Sequence, residues 1–300
     1  MPGRRWIAVL VAVATGSGAL AGCTPAAGES ADIEIVASTD VYASIADRLI
    51  AGLPPGRVGV SSIISDPSID PHEYEASARN ELSISRAELI IENGGGYDDF
   101  IDTLRSAAGA DAPVINAVEL SGHAHDADLN EHVWYDFPTV EKVAHRITTF
   151  LLGHDQADAH LLHRNARIVT AQLHHLEAIE ARISAKYAGT GVAITEPVPL
   201  YLLQACGLAN RTPAEFSNAI ENGTDASPRV LHDTLDLFTS HQVELLVYNE
   251  QAAGPQTDQI IRTANEAHVA TIGVTETLPG PITYFDWMKR IVEGVAGALS

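Results

Sequence analysis

The sequence predicts an α/β protein of two Rossmann-like lobes joined by a single long, rigid helix. Three observations lead there. Short β-rich runs alternate with amphipathic helical stretches in the first half of the chain, the same alternation returns in the last third, and the segment from 157 to 187 between them has neither Gly nor Pro. A βαβα order is the pattern of a parallel sheet with helices on its faces. With 300 residues, 46% of them hydrophobic, the chain exceeds one typical domain and can fill two cores.

Residues 33–37 read as the first strand, followed by a helix over 42–51 with apolar Ile45, Leu49 and Ile50 on one side. Further strands are expected over 58–64 and 88–91, the second ending in the turn Asn93-Gly94-Gly95-Gly96 that leads into a helix over 97–107. In the last third, strands are expected over 192–195, 243–248 and 269–274, with helices over 199–206, 228–239 and 257–267. Ser227-Pro228 reads as a cap followed by Pro at the first helical position. In the central segment Leu161, Leu162, Ile168, Leu173, Leu176, Ile179 and Ile183 recur at near-helical spacing. One helix of about 30 residues would be about 45 Å long and would restrain hinge closure; two helices with a bend are the alternative. The expected division is a signal over 1–22, a tether over 23–32, a first lobe over 33–155, the linking helix over 156–188 and a second lobe over 189–300.

The charge narrows the partners. With 39 acidic against 18 basic residues, a formal −21 opposes nucleic acid and anionic bilayers and suits cationic ligands. Arg4 and Arg5 precede an apolar run over 6–20, which reads as an export signal too short for the ~20 residues of a membrane span. Leu20-Ala21-Gly22-Cys23 resembles the lipobox of bacterial lipoproteins, in which the Cys is lipidated and becomes the new N-terminus; a plain secretory signal is the other reading. Residues after 23 are therefore expected outside the cytoplasm, bound to the cell membrane only through the lipid on Cys23. Residues 24–32, rich in Ala, Pro, Gly and Ser, suit a flexible tether. Cys206, the other cysteine, has no intramolecular partner in the mature chain and reads as a small buried hydrophobe.

Of 13 histidines, most fall on helical stretches or loop edges away from strand ends. The adjacent pair His174 and His175 would point ~100° apart on a helix and could not share one ion. His72 differs: it lies in Asp70-Pro71-His72-Glu73-Tyr74-Glu75, beyond the carboxyl end of a strand, where α/β sheets build their ligand crevice. His132 lies in Asn130-Glu131-His132-Val133-Trp134-Tyr135-Asp136, a neighbourhood suited to orienting an imidazole through a hydrogen-bond acceptor. Glu196 and Glu276 follow predicted strands of the second lobe. Singly, each of the four reads more readily as a solvated surface group. Together they could meet across an interlobe cleft, where two neutral imidazoles and two carboxylates balance a divalent cation and remove the main penalty of burying it. Four protein ligands leave little room for an activated water, which suits binding more than catalysis.

With those motifs in place, the chain from 33 to 299 resembles the solute-binding proteins of zinc and manganese ABC importers. The carriers are Asp70-Pro71-His72-Glu73-Tyr74-Glu75, Ala87-Glu88-Leu89-Ile90-Ile91, His132-Val133-Trp134, the long central segment, Thr195-Glu196-Pro197, and Glu276 with Tyr284 and Met288 downstream. The resemblance implies a monomeric, non-enzymatic protein that binds one Zn2+ or Mn2+ between two lobes and delivers it to a permease and its ATPase. By match, the ligands are His72, His132, Glu196 and Glu276, the last replacing the family's usual Asp by a side chain one methylene longer. Intrinsic affinity favours zinc, whereas two hard carboxylates shift preference toward manganese. Gly122-His123-Ala124-His125-Asp126-Ala127-Asp128 resembles a shortened form of the His- and acid-rich loop of zinc-specific members, and a solvated turn is its alternative.

Two other classes compete. A binding protein for a metal chelate or other bulky solute would want an open aromatic cleft. A metal-dependent hydrolase would want a signature such as His-Glu-x-x-His or Gly-x-Ser-x-Gly, and neither pattern occurs.

Overall fold

The computed structural model describes residues 31–69, 71–125, 129–154, 156–252 and 254–300, without the side chain of Glu73. The signal, Cys23 and most of the tether lie outside the described residues. Two four-stranded sheets, all of whose pairs are parallel, form the framework. The first has the order β2-β1-β3-β4, from β1 (Ile33–Thr39), β2 (Val58–Ile64), β3 (Leu89–Glu92) and β4 (Val114–Asn116). The second repeats the plan as β6-β5-β7-β8, from β5 (Gly191–Ile194), β6 (Ala209–Asn210), β7 (Leu245–Asn249) and β8 (Ala270–Val274). The α/β class is thus as the alternation predicts. The short edge strands β4 and β6 lack a β-rich run of their own and are defined by pairing with their neighbours.

Helices cover the sheets. In the N-terminal half these are α1 (Asp40–Ile50), α2 (Ala78–Ser85), α3 (Phe100–Ala108), α4 (Ala117–Ser121) and α5 (Phe137–His154). The central stretch forms one helix, α6 (Ala159–Tyr187), whose 29 residues extend about 43 Å. Beyond it come α7 (Leu200–Ala205), α8 (Ala214–Glu221), α9 (Pro228–Thr239), α10 (Pro255–Glu266) and α11 (Tyr284–Ala298). Ser227 caps α9 by accepting from Val230 N–H, with Pro228 at the first turn. Among the described residues no helix is long and apolar enough to cross a membrane.

The largest apolar core is continuous across both halves. It runs from Ile35 and Leu49, through Leu162, Leu173 and Ile183 of α6, to Leu245, Met288 and Val295. Cys206 is buried in it, and burial, with the nearby Glu180 carboxylate, pushes its thiol up to about 12. On the cleft side, polar links join the halves directly. Tyr135 Oη donates to Thr275 O (2.8 Å), Tyr284 Oη to Trp134 O (2.6 Å), Leu278 N–H to Asp40 Oδ1 (3.1 Å) and Asn130 Nδ2 to Pro197 O (3.1 Å).

Candidate metal centre

Of the four residues singled out by sequence, His72, Glu196 and Glu276 stand beyond the carboxyl ends of strands, whereas His132 lies beyond helix α4, on the same cleft between the sheets. His72 sits in a 3-10 turn (Pro71–Glu73) beyond β2, and His132 immediately precedes another (Val133–Tyr135). Glu196 follows β5 and Glu276 follows β8.

The segment before His132 is pinned from the N-terminal sheet. Asn93, one residue past β3, is buried, and its Nδ2 donates to Glu131 O at 2.9 Å while its Oδ1 accepts from Tyr42 Oη at 2.5 Å. The following Gly94-Gly95-Gly96 all have positive φ (79°, 72° and 96°). A side chain at Gly95 would also crowd Val118, Leu129 and Glu131 at 3.1–3.3 Å, so glycine is needed both for the backbone and for the approach.

His132 is fully buried. Its Nδ1 lies 2.7 Å from Asn130 Oδ1, and the same oxygen accepts from His132 N–H at 3.2 Å. An amide oxygen can only accept, so Nδ1 carries the proton and the Nε2 lone pair is aimed outward. The orienting acceptor is therefore the amide of Asn130, where the motif suggested one of the neighbouring acids. Trp134 and Tyr97 pack around the ring, with centroids at 5.1 and 6.1 Å, and Tyr97 also meets the His72 ring edge-on at 5.0 Å.

Both imidazole Nε2 atoms face carboxylates. Glu276 Oε2 lies 3.7 Å from His72 Nε2 and 3.9 Å from His132 Nε2; Glu221 Oε1 lies 3.4 and 3.3 Å from the same two atoms. His72, His132 and Glu276 offer ligand atoms all within 4.8 Å of one another, as do His72, Glu131 and Glu221. Glu196 is placed differently. The Asn249 amide at the end of β7 donates one hydrogen to Glu196 Oε2 (2.5 Å) and the other to Glu276 Oε1 (2.8 Å), clasping the two acids side by side. Gln251 braces the same corner, accepting from Glu276 N–H through Oε1 (2.6 Å) and donating from Nε2 to Pro67 O across the cleft (3.0 Å).

Glu221, the last residue of α8, was missed in the sequence because it ends a helix and not a strand. A signal was present: Ser217 and Glu221 are four apart, beside Phe216 and Ile220, so an acid lies along the buried side of an amphipathic helix. Burial opposes its charge, but the adjacent His72 and His132 rings, when protonated in the absence of metal, outweigh that and hold its carboxyl below the usual range.

The donor set fits a divalent transition ion. About 2.0–2.2 Å from a common centre, tetrahedral ligands lie roughly 3.3–3.6 Å apart, close to the 3.3–3.9 Å between these nitrogens and oxygens. Among the described residues His132 Nε2 has no hydrogen-bond partner. A buried lone pair facing carboxylate oxygens is unfavourable until a cation lies between them. The surrounding cleft, about 880 Å³, is lined by Glu131, Glu196, Glu221, Glu276 and Asp225 with His72, and no Phe, Tyr or Trp is among its lining residues. His123 belongs to neither group of converging ligand atoms; its ring packs 5.2 Å from that of Tyr201.

Known proteins resemble this chain in sequence or in fold. A manganese-binding lipoprotein, MntA, of Halalkalibacterium halodurans is 26% identical over 98% of this chain and 97% of its own. The manganese-binding lipoprotein MntA of Bacillus subtilis is 24% identical over 88% of each. The periplasmic zinc-binding protein TroA of Treponema pallidum superposes with a TM-score of 0.73 at 16% identity, covering 89% of this chain and 99% of that one, which is a likeness of fold. The family model for zinc-uptake complex component A, periplasmic (ZnuA), matches residues 35–298. Two parallel-sheet lobes, imidazoles and carboxylates gathered in the cleft between them, and a family match over nearly the whole described chain lead to one assignment: the protein belongs to the ZnuA family, the metal-binding components of zinc and manganese importers.

Proposed function

We propose that the protein captures a single Zn2+ or Mn2+ ion outside the cytoplasm and delivers it to an ABC permease powered by its ATPase. His72, His132 and Glu276 hold the ion together with a further acid of the C-terminal half, either Glu196, as sequence matching implies, or Glu221. Residues 33–155 and 189–300 act as the two lobes, with 156–188 as the connecting helix. A lipid on Cys23 keeps the protein, as a monomer, at the cell membrane.

The observation that carries this reading is the buried Nε2 of His132, oriented by Asn130 toward carboxylate oxygens and lacking a hydrogen-bond partner among the described residues. A chelate or other bulky solute is a weaker fit, since no Phe, Tyr or Trp lines the cleft. The test is elemental analysis of the purified protein, then calorimetric titration with zinc and manganese in competition. Wild type should bind one ion, and His132→Ala should lose high-affinity binding while keeping its fold. Wild-type affinity in that variant, or indifference of the wild type to both ions, would refute the reading.

A further inference from the structure

Two acids of the C-terminal half compete for the fourth place at the ion, and their surroundings differ. Glu196 has Oε2 engaged at 2.5 Å by Asn249, the residue that also holds Glu276 Oε1. It belongs to neither of the two groups of three converging ligand atoms. Glu221 belongs to one of them, and its Oε1 is closer than Glu276 Oε2 to both imidazole Nε2 atoms.

The setting of Glu221 calls for positive charge beside it. It ends α8, where the helix dipole disfavours negative charge, and its side chain is only 12% exposed. Both carboxylate oxygens are buried, and among the described residues the partners recorded for them are the His72 and His132 imidazoles, with no Lys or Arg ion pair. Phe216, Ala219 and Ile220 anchor α8 in the core beneath the second sheet, so the position of the acid is set by packing.

We infer that Glu221 is the fourth metal ligand, and that Glu196 acts as a positioning residue, fixing Asn249 so that Glu276 presents Oε2 alone to the ion. This rests on the metal-binding reading above and names the donors of that same site: two imidazoles from the N-terminal half, and two single carboxylate oxygens from the C-terminal half, on α8 and beyond β8. It also answers the extra methylene of Glu276, because Asn249 occupies Oε1 and makes its coordination monodentate.

The experiment compares wild type, Glu221→Gln and Glu196→Gln by titration with Zn2+ and Mn2+, with the visible absorption of the Co2+-loaded proteins as a second readout. Glu221→Gln should weaken binding by about 100-fold or more and change the Co2+ spectrum, whereas Glu196→Gln should cost about tenfold, at the low end for a residue behind the ligands, and leave the spectrum unmoved. Should Glu221→Gln fold poorly, Glu221→Asp, which keeps the charge but shortens the reach, should still weaken binding at least tenfold with an unchanged metal-free melting curve. If wild type binds and Glu221→Gln matches it, or if the larger loss and the spectral change belong to Glu196→Gln, the assignment is overturned while metal binding stands. If wild type binds none of the ions, the metal-binding reading fails and the assignment fails with it.

Discussion

Glu180 lies on the central helix α6, 5% exposed, with Oε1 lacking a hydrogen-bond partner among the described residues. Burial, reinforced by the negative charges of Glu177 and Asp136, raises its carboxyl from 4.5 to about 8. The folded protein therefore holds this proton more tightly than the unfolded chain does. Its contribution is fully present below the unfolded value of 4.5 and drains away as the pH climbs through about 8. At pH 7 the unfolded chain is ionised while the folded one is still largely protonated, a gap of roughly 2.5 pH units from 4.5, or about 3 kcal/mol. Replacing Glu180 by Gln keeps the shape of the neutral acid and removes the titration. The variant should gain stability up to about that amount at neutral pH, a rise of roughly 6 °C in melting temperature for a chain of this size. The gain should vanish near pH 4.5. Melting curves of both metal-free proteins from acid to mildly alkaline pH give the comparison. A difference independent of pH, or a variant less stable than wild type at pH 7, would refute the assignment of Glu180 as a protonated acid.

Other expectations concern the cargo and the anchor. Imidazole and carboxylate ligands must be deprotonated to bind, so affinity for Zn2+ or Mn2+ should fall from about pH 7.5 to about pH 5.5, and a flat profile by competition with a chromophoric chelator would exclude histidine ligation. Cys23→Ala should release the protein from the cell membrane into the medium or periplasm, and fractionation that still finds it in the membrane would argue against lipidation.

The α/β class was legible because the strands at the middle of each sheet are buried on both faces. Residues 58–64 and 228–239 coincide with β2 and α9, and the other predicted strands are displaced by one or two residues. What could not be read was set by tertiary context. The three residues of β4 and the two of β6 owe their strand character to pairing with a neighbour. Helices α2, α4, α5, α8 and α11 went unassigned, α2 because its amphipathic pattern is short and its start depends on the reciprocal Ser77 and Asn80 cap. At the candidate site, attention to strand ends and to the motif around His132 singled out His72, His132, Glu196 and Glu276 and overlooked Glu221, which reaches the same cleft from a helix end. Nor could spacing reveal that Asn249, distant in sequence from both acids, clasps Glu196 and Glu276 together.

The apolar core that passes without interruption from Ile35 through α6 to Val295 has a consequence for unloading. Prising the halves apart would tear hydrophobic surface open along much of the molecule, so the protein should melt as one cooperative unit, and neither half should survive alone. Whatever machinery empties the cradle gains little from spreading it. The cheaper route is to outbid it, exchanging one donor atom at a time at the rim while the frame stays intact.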